Sequence, residues 1–240
     1  MPAKAVTRPP AAAGPATAVA LIPAAGLGTR FHDDGPKALV PLAGKPFLLH
    51  ALERLARSGR VHAAVVAAAP GYEEAFRAAL ASSPLAATLV AGGVTRRESV
   101  TNAFAAADPA DGSLVLVHDA ARPLVDPAEV AAVVDAAGAH GAAIAACSMV
   151  DTVKRARGGR IVETVPREDL VAATTPQVFE ASLFRKALAR TDGADATDDA
   201  ELVERAGGSV AVVLTSRWNI KITYPEDLVW AEAILARGDG

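Results

Sequence analysis

From Val19 onward, apolar runs of strand length alternate with stretches in which apolar residues recur every three or four positions. Strands space their side chains by two and helices by 3.6, so the alternation predicts βαβ units in a largely parallel sheet. The runs at 19–22, 63–69, 87–91, 113–118 and 142–147 read as strands. Between the first two, Pro46 opens a helix whose Leu48, Leu52, Leu55 and Ala56 share one face and which Gly59 ends. Further helices read over 72–81, 96–107 and 127–138. After position 170 come a short extended piece at 174–179, helices at 181–190 and 198–206, a strand at 210–214 and a last helix beginning near Pro225.

The regular order breaks between Met149 and Arg167. Two short polar strands there are joined by Gly158-Gly159, the pattern of a hairpin. A hairpin this small cannot bury itself, so it is either a solvated excursion or an arm that packs on something else, with a second subunit the obvious candidate. At the other extreme, residues 1–17 are rich in Pro and Ala and lack the apolar core of a signal peptide. They read as a disordered tail. The remainder, 18–237, reads as one domain with the arm at about 149–170, and 240 residues suffice for a substantial core.

Composition narrows the classes. Apolar residues make up 51% of the chain but aromatics only 4%, so helices should pack closely through small side chains. A net charge of −3 argues against nucleic acid or an anionic membrane as partner. An anionic substrate must then be met by local cations. Cys147 is the only cysteine, which excludes an intramolecular disulfide, argues against a Cys-based zinc site and leaves a buried thiol as the reading. The five histidines show no H-E-x-x-H spacing, and no apolar run is long enough to span a bilayer. The expected compartment is the cytoplasm.

Chemistry concentrates first in 24–37, Ala24-Ala25-Gly26-Leu27-Gly28-Thr29-Arg30 followed by Pro36-Lys37, directly after the first strand. Glycines let the backbone come close to a ligand, and successive N–H groups then form an anion-binding concavity. Arg30 and Lys37 add two positive charges, as a polyphosphate under attack at its α-phosphorus requires. A dinucleotide fingerprint is disfavoured, because Phe31 stands at the third glycine position and Pro70-Gly71-Tyr72 puts no carboxylate after the second strand. The Walker spacing does not occur.

Three further polar constellations fall where ligands bind such sheets, beyond the carboxyl ends of strands. The first is Gly92-Gly93-Val94-Thr95-Arg96-Arg97-Glu98-Ser99, where backbone can approach a flat base and Ser99 can bond its polar edge; Thr95 and Glu98 also form a capping box. The second, Val117-His118-Asp119-Ala120-Ala121-Arg122-Pro123, places a carboxylate where Mg²⁺ is held with a triphosphate, the plain alternative for Asp119 being a salt bridge to Arg122. His118 reads as an orienting or packing residue. In the third, Asn219 to Asp227, Lys221 lies between two isoleucines and so points away from the core, with Thr223 and Pro225 as helix caps.

Taken in order, these segments together with T-P-Q at 175–177 and T-D-D at 197–199 resemble the 2-C-methyl-D-erythritol 4-phosphate cytidylyltransferase family, over about Val19 to Ile234. The resemblance implies a three-layer Rossmann-like nucleotidyltransferase fold, α/β, with a mostly parallel mixed sheet and a protruding β-arm. It implies Mg²⁺-dependent transfer of a cytidylyl group from CTP to 2-C-methyl-D-erythritol 4-phosphate, releasing pyrophosphate, in non-mevalonate isoprenoid precursor biosynthesis. Arg30 and Lys37 would stabilise the transition state. Ala24, Ala25, Gly93 and Ser99 would read the cytosine and ribose, beside Gly26 and Gly28, and Asp119 would sit near the metal. Arg122 would join the substrate-binding set, while Arg167, Lys221 and Thr197 would hold the sugar phosphate. In a homodimer with crossed arms, Arg167 and Thr175 would serve the partner's site. This chain departs from the family pattern at Val94, where an acidic residue is often seen, and at Ser216-Arg217-Trp218, which would place bulk and charge beside the acceptor pocket. The competing readings are another polyol phosphate acceptor such as ribitol 5-phosphate, a sugar-1-phosphate nucleotidyltransferase, or a non-catalytic CTP-binding dimeric module.

Overall fold

The computed structural model of the chain describes residues 15–28, 31, 35–190 and 196–238; Arg30 and positions 1–14 of the predicted tail lie outside them. Among the described residues the strands are β1 (Ala18–Ala24), β2 (Pro41–Leu42), β3 (Lys45–Pro46), β4 (Val61–Ala68), β5 (Ala86–Ala91), β6 (Leu114–Val117), β7 (Ala142–Ser148), β8 (Val153–Arg157), β9 (Arg160–Val165), β10 (Val171–Glu180) and β11 (Ala211–Leu214). The helices are α1 (Phe47–Arg57), α2 (Glu73–Leu80), α3 (Arg96–Ala107), α4 (Pro127–His140), α5 (Ala181–Ala189), α6 (Asp199–Arg205) and α7 (Asp227–Ala236).

The main sheet runs β11-β7-β10-β6-β1-β4-β5. Every neighbouring pair is parallel except those of β10, which is antiparallel to both β6 and β7. The short extended piece expected at 174–179 is thus a ten-residue strand that makes the sheet mixed. The β2–β3 hairpin is an addition that its two-residue strands hid from any periodicity.

Strand alternation builds two cores, one on each face. Ala18, Ala20, Ile22, Ala64, Val66, Leu114 and Leu116 meet α1, α2 and α4 through Leu48, Leu52, Phe76, Val130 and Val134. The intervening Leu21, Val65, Ala67, Val115 and Val117 meet α3, α5 and α6 through Val100, Phe104, Phe184 and Val203. Three layers result, as expected. Alanine-rich strands let the helices approach closely, and the Phe179–Phe184 stack, 4.8 Å between centroids, fills the wider side. A smaller third cluster, with Phe31, Leu42, Phe47, Leu124, Ile222 and Ala231, ties α7 to the loops over the sheet's end.

The arm stands apart. β8 and β9 pair antiparallel and leave Ile161 and Val162 exposed, along with Val150, Leu170 and Val171 nearby. No described helix is long and apolar enough to cross a membrane. The final helix begins at Asp227, just past Pro225, as expected. Thr223 does not cap it; instead the Asp227 carboxylate accepts from the Thr223 and Tyr224 N–H groups.

Candidate active site

The carboxyl ends of β1, β5 and β6 open on one cavity of about 450 Å³, lined among others by Ala24, Ala25, Gly26, Gly28, Lys37, Gly93, Ser99, Asp119 and Lys221. Four separated sequence segments therefore meet in one cleft. How each is delivered follows from local hydrogen bonding.

The chain leaves β1 at Ala24, turns through Gly26 and Gly28, and is closed by the Lys37 N–H, 3.2 Å from the Gly26 carbonyl. Gly28 has φ +62°, and a Cβ there would stand 3.0 Å from the Lys37 Cβ. A larger residue would be strained and would displace the lysine. Lys37 Nζ lies 5.5 Å from the Phe31 ring centroid, so the ring supports the ammonium from one side.

Opposite this loop, Gly92 donates to the Ala68 carbonyl at 2.7 Å and packs so tightly on Ala25 that a Cβ would come within 2.3 Å of that residue's own. The capping box is present: Thr95 Oγ1 accepts from Glu98 N, and Glu98 Oε2 accepts from Thr95 N. Ser99 Oγ donates to the Thr95 carbonyl and accepts from Gly93 N, both at 3.0 Å. A hydroxyl has one donor and two acceptor sites, so Ser99 retains a lone pair for a ligand's N–H. Val94, 98% exposed, stands on the rim.

Asp119 forms the floor just past β6. Its N–H donates to Thr175 Oγ1, which donates to His118 Nδ1, both at 3.1 Å. His118 Nε2 lies 3.1 Å from the Arg122 carbonyl, which can only accept, so the ring is neutral with its proton on Nε2. Complete burial pushes the imidazole down to about 4, against the raising influence of that carbonyl and of Asp119. His118 is an orienting residue, as expected.

Lys221 comes from the 219–223 segment. This is pinned by the Asn219 side-chain amide on the Thr175 carbonyl at 2.7 Å, Arg122 Nη1 on the Asn219 carbonyl at 2.7 Å, and Ile222 N on the Ala121 carbonyl at 2.9 Å. With Ile222 fully buried, its neighbour projects into the cleft, where Lys221 Nζ meets Asp119 Oδ2 at 2.7 Å. The other oxygen, Oδ1, accepts from Arg96 Nε at 3.1 Å. The salt bridge considered for Asp119 thus has two partners, and neither is Arg122. Burial pushes the Asp119 carboxyl up, but the fields of Arg96 and Lys221 outweigh it and hold the group ionised well below the usual carboxylate range.

Other expected substrate residues take different places. Arg122 does not line the cavity; it is spent on the Asn219 carbonyl. Thr175 is buried beneath Asp119 of its own chain and accepts from the Asp119 N–H. Thr197 is exposed and bonded through N and Oγ1 to Glu201 Oε2. Arg167 lies at the exposed base of the arm and donates to the Val150 carbonyl. Trp218 lines a second cavity, of about 320 Å³, with Arg54 and Asp126, its ring 4.8 Å from the Arg237 guanidinium; it is not a wall of the cleft.

Arg96 is the residue of the site that sequence reasoning passed over. As the first residue of α3 it sits where a helix start faces the cleft, a signal present in the strand-end position of its motif. Its Nη1 also pairs at 2.8 Å with Asp199, 1% exposed. Among the described residues no three His, Cys, Asp or Glu side chains gather as a metal cage. A single ionised carboxylate at the floor suits Mg²⁺, which keeps waters and takes its remaining oxygens from substrate phosphates.

A mixed α/β sheet with a glycine loop, a base rim, a carboxylate and two lysines in one cleft defines a nucleotidyltransferase-like protein. The family model for 2-C-methyl-D-erythritol 4-phosphate cytidylyltransferase matches residues 18–237, and the chain belongs to that family. The enzyme of that name from Rhodopirellula baltica is 44% identical over 227 residues, covering 90% of this chain and 93% of that protein. The one from Acidobacterium capsulatum is 42% identical over 221 residues, covering 87% and 92%. The crystal structure of 2-C-methyl-D-erythritol 4-phosphate cytidylyltransferase from Thermus thermophilus superimposes with TM-score 0.73 at 38% identity, covering 92% of this chain and 99% of that one.

Proposed function

We infer that this chain transfers a cytidylyl group from CTP to 2-C-methyl-D-erythritol 4-phosphate, forming 4-diphosphocytidyl-2-C-methyl-D-erythritol and pyrophosphate, a step of isoprenoid precursor biosynthesis. Family membership supports the reading, and the observation that carries it is the convergence of Gly28, Ser99, Asp119, Lys37 and Lys221 on one cavity.

An oxygen of the acceptor's phosphate attacks the α-phosphorus, a new P–O bond forms, and the bond to the β-phosphate breaks with its electrons leaving on pyrophosphate. That oxygen is already anionic near neutral pH, so catalysis reduces to aligning two anions and neutralising charge. In our reading Lys37, with Arg30 from the same motif, stabilises charge on the transferring phosphoryl group. The Ala24–Gly28 backbone cradles phosphates, Ser99 and Gly93 meet the base, and Lys221 aims the acceptor. Asp119 would hold Mg²⁺, which when bound supplies further neutralisation across the phosphates. We also read the protein as a homodimer acting in the cytoplasm, with the 149–170 arm crossing so that Arg167 reaches the partner's acceptor. The exposed Ile161 and Val162 support that arrangement.

The test is pyrophosphate release with CTP and 2-C-methyl-D-erythritol 4-phosphate, run beside ribitol 5-phosphate at saturating CTP. Turnover preferring the first acceptor is expected. CTP binding without pyrophosphate release from either acceptor would overturn the reading.

A further inference from the structure

Arg96 is shared between two carboxylates. Its Nε meets Asp119 Oδ1 at 3.1 Å and its Nη1 meets Asp199 Oδ2 at 2.8 Å. Lys221 holds the remaining oxygen of Asp119 at 2.7 Å. A divalent cation approaching Asp119 therefore finds both oxygens already engaged by cations that repel it.

Asp199 itself has no evident local duty. It does not line the cleft, and the cap of α6 is supplied by its neighbour, since Asp198 Oδ1 accepts from Glu201 N at 2.9 Å while Oδ2 accepts from Gln177 Nε2 at 2.8 Å. A carboxylate buried to 1% exposure is unfavourable unless a charge partner compensates it, and the cation beside it is Arg96. The guanidinium is thereby divided, and Asp119 receives less of it than an unshared arginine would give.

We propose that Asp199 is a positioning residue which, by holding part of the Arg96 guanidinium, keeps Asp119 accessible to the divalent cation that accompanies the nucleotide. The inference rests on the functional reading above, in which the cleft loads CTP with Mg²⁺. Neutralising Asp199 lets Arg96 close fully on Asp119 and makes the carboxylate harder for a cation to reach. Removing Arg96 and Asp199 together leaves Asp119 with Lys221 alone and makes it easier. The two changes act in opposite directions, which loss of packing does not produce.

The experiment is calorimetric titration of the full chain with CTP, without acceptor, in the presence and absence of Mg²⁺. The dissociation constant without Mg²⁺ divided by that with Mg²⁺ reads the cation's contribution without turnover and cancels any direct contact between Arg96 and the nucleotide. Relative to wild type, Asp199→Asn should lower that ratio by about fivefold or more, and the Arg96→Leu/Asp199→Leu double variant should raise it, a coupling of ordinary size between neighbouring sites. A correctly folded Asp199→Asn with the wild-type ratio overturns the proposal, as do shifts of the same sign in both variants. If Asp199→Asn fails to fold, the double variant decides, and a ratio at or below wild type overturns the proposal. A wild-type protein that does not bind CTP overturns the functional reading itself, whereas a CTP-binding wild type with unmoved ratios overturns this inference alone.

Discussion

Gly92→Ala is the sharpest test of how the cleft is built. The added Cβ would lie 2.3 Å from the Ala25 Cβ, 2.8 Å from the Ala68 carbonyl oxygen and 3.3 Å from Ser99 Oγ. Carbon atoms in contact prefer about 3.5–4.0 Å, so the first distance is short by more than an ångström. The second neighbour is backbone of β4, fixed by the 2.7 Å hydrogen bond from Gly92 itself, and cannot step aside. Relief must come from the Ala25 loop moving outward or from loss of that hydrogen bond. Overpacking of this kind costs about 1–3 kcal/mol. For a chain of this size each kcal/mol lowers Tm by about 2–4 °C, which gives a fall of roughly 2–12 °C. Because Ala25, Gly93 and Ser99 all line the cleft, CTP affinity should fall with stability. Gly26→Ala is the control, since nothing lies within 4 Å of its Cβ position. That variant should keep its Tm and lose only nucleotide binding, as its methyl enters the cleft. Thermal unfolding and CTP titration of both proteins separate the effects. A Gly92→Ala protein with wild-type Tm and CTP affinity would refute the close approach of β5 to the phosphate loop.

Three other outcomes are expected. Lys37→Ala should lower kcat by about a hundred- to thousandfold, corresponding to about 3–4 kcal/mol of lost stabilisation, and near-normal turnover would remove Lys37 from its role. His118, depressed to about 4 from 6.5, binds its proton more readily in the unfolded chain, so its contribution to stability is present at pH 7 and is lost as pH falls through that window. Between pH 7 and 4.5 this group alone should cost about 2 kcal/mol, and urea unfolding of His118→Gln should show a correspondingly smaller loss. For the crossed arm, mixing inactive Arg167→Ala and Lys37→Ala subunits should restore activity at one site of each heterodimer, and a failure to complement would argue that each site is self-contained.

The layers were legible because strand and helix periods differ and the chain keeps them distinct. Val19 to Ile22 and Leu114 to Val117 are short, wholly apolar runs, as strands covered on both faces require. The direction of β10 was not legible. Its residues 174–179 give no local sign of running against β6, because strand sense is set by where the arm returns the chain. Boundaries drifted by one or two residues, and only at the last helix did this alter a role, when Asp227 took over the bonding assigned to Thr223. The cleft's glycines, Ser99, Asp119, Lys37 and Lys221 were recognisable because each stands in a loop, at a strand end or in the first turn of a helix. Thr175 and Arg122 stand in equally polar motifs, yet Thr175 is buried under Asp119 and Arg122 turns to the Asn219 carbonyl. A polar residue next to a site has the same sequence appearance whether it faces the ligand or holds the floor, and only burial separates the two.

Charge partnership was the least legible feature, since Asp119 meets Arg96 and Lys221 from 23 and 102 positions away in the chain. Its consequence reaches beyond the pair. Asp199, Arg96, Asp119 and Lys221 form an alternating row of two acidic and two basic side chains, with burial raising the Asp199 carboxyl against the field of Arg96. A chain with net charge −3 can thus keep cations ready for a triphosphate without exposing them to mutual repulsion. Binding the acceptor then becomes an exchange: Lys221 can turn from Asp119 to the anionic ligand, because nearly half of its side chain is exposed, while Arg96 stays anchored at Asp199. The carboxylate that Lys221 leaves stays ionised beside Arg96, so the exchange moves one cation to the ligand without stranding a protonated acid in the cleft.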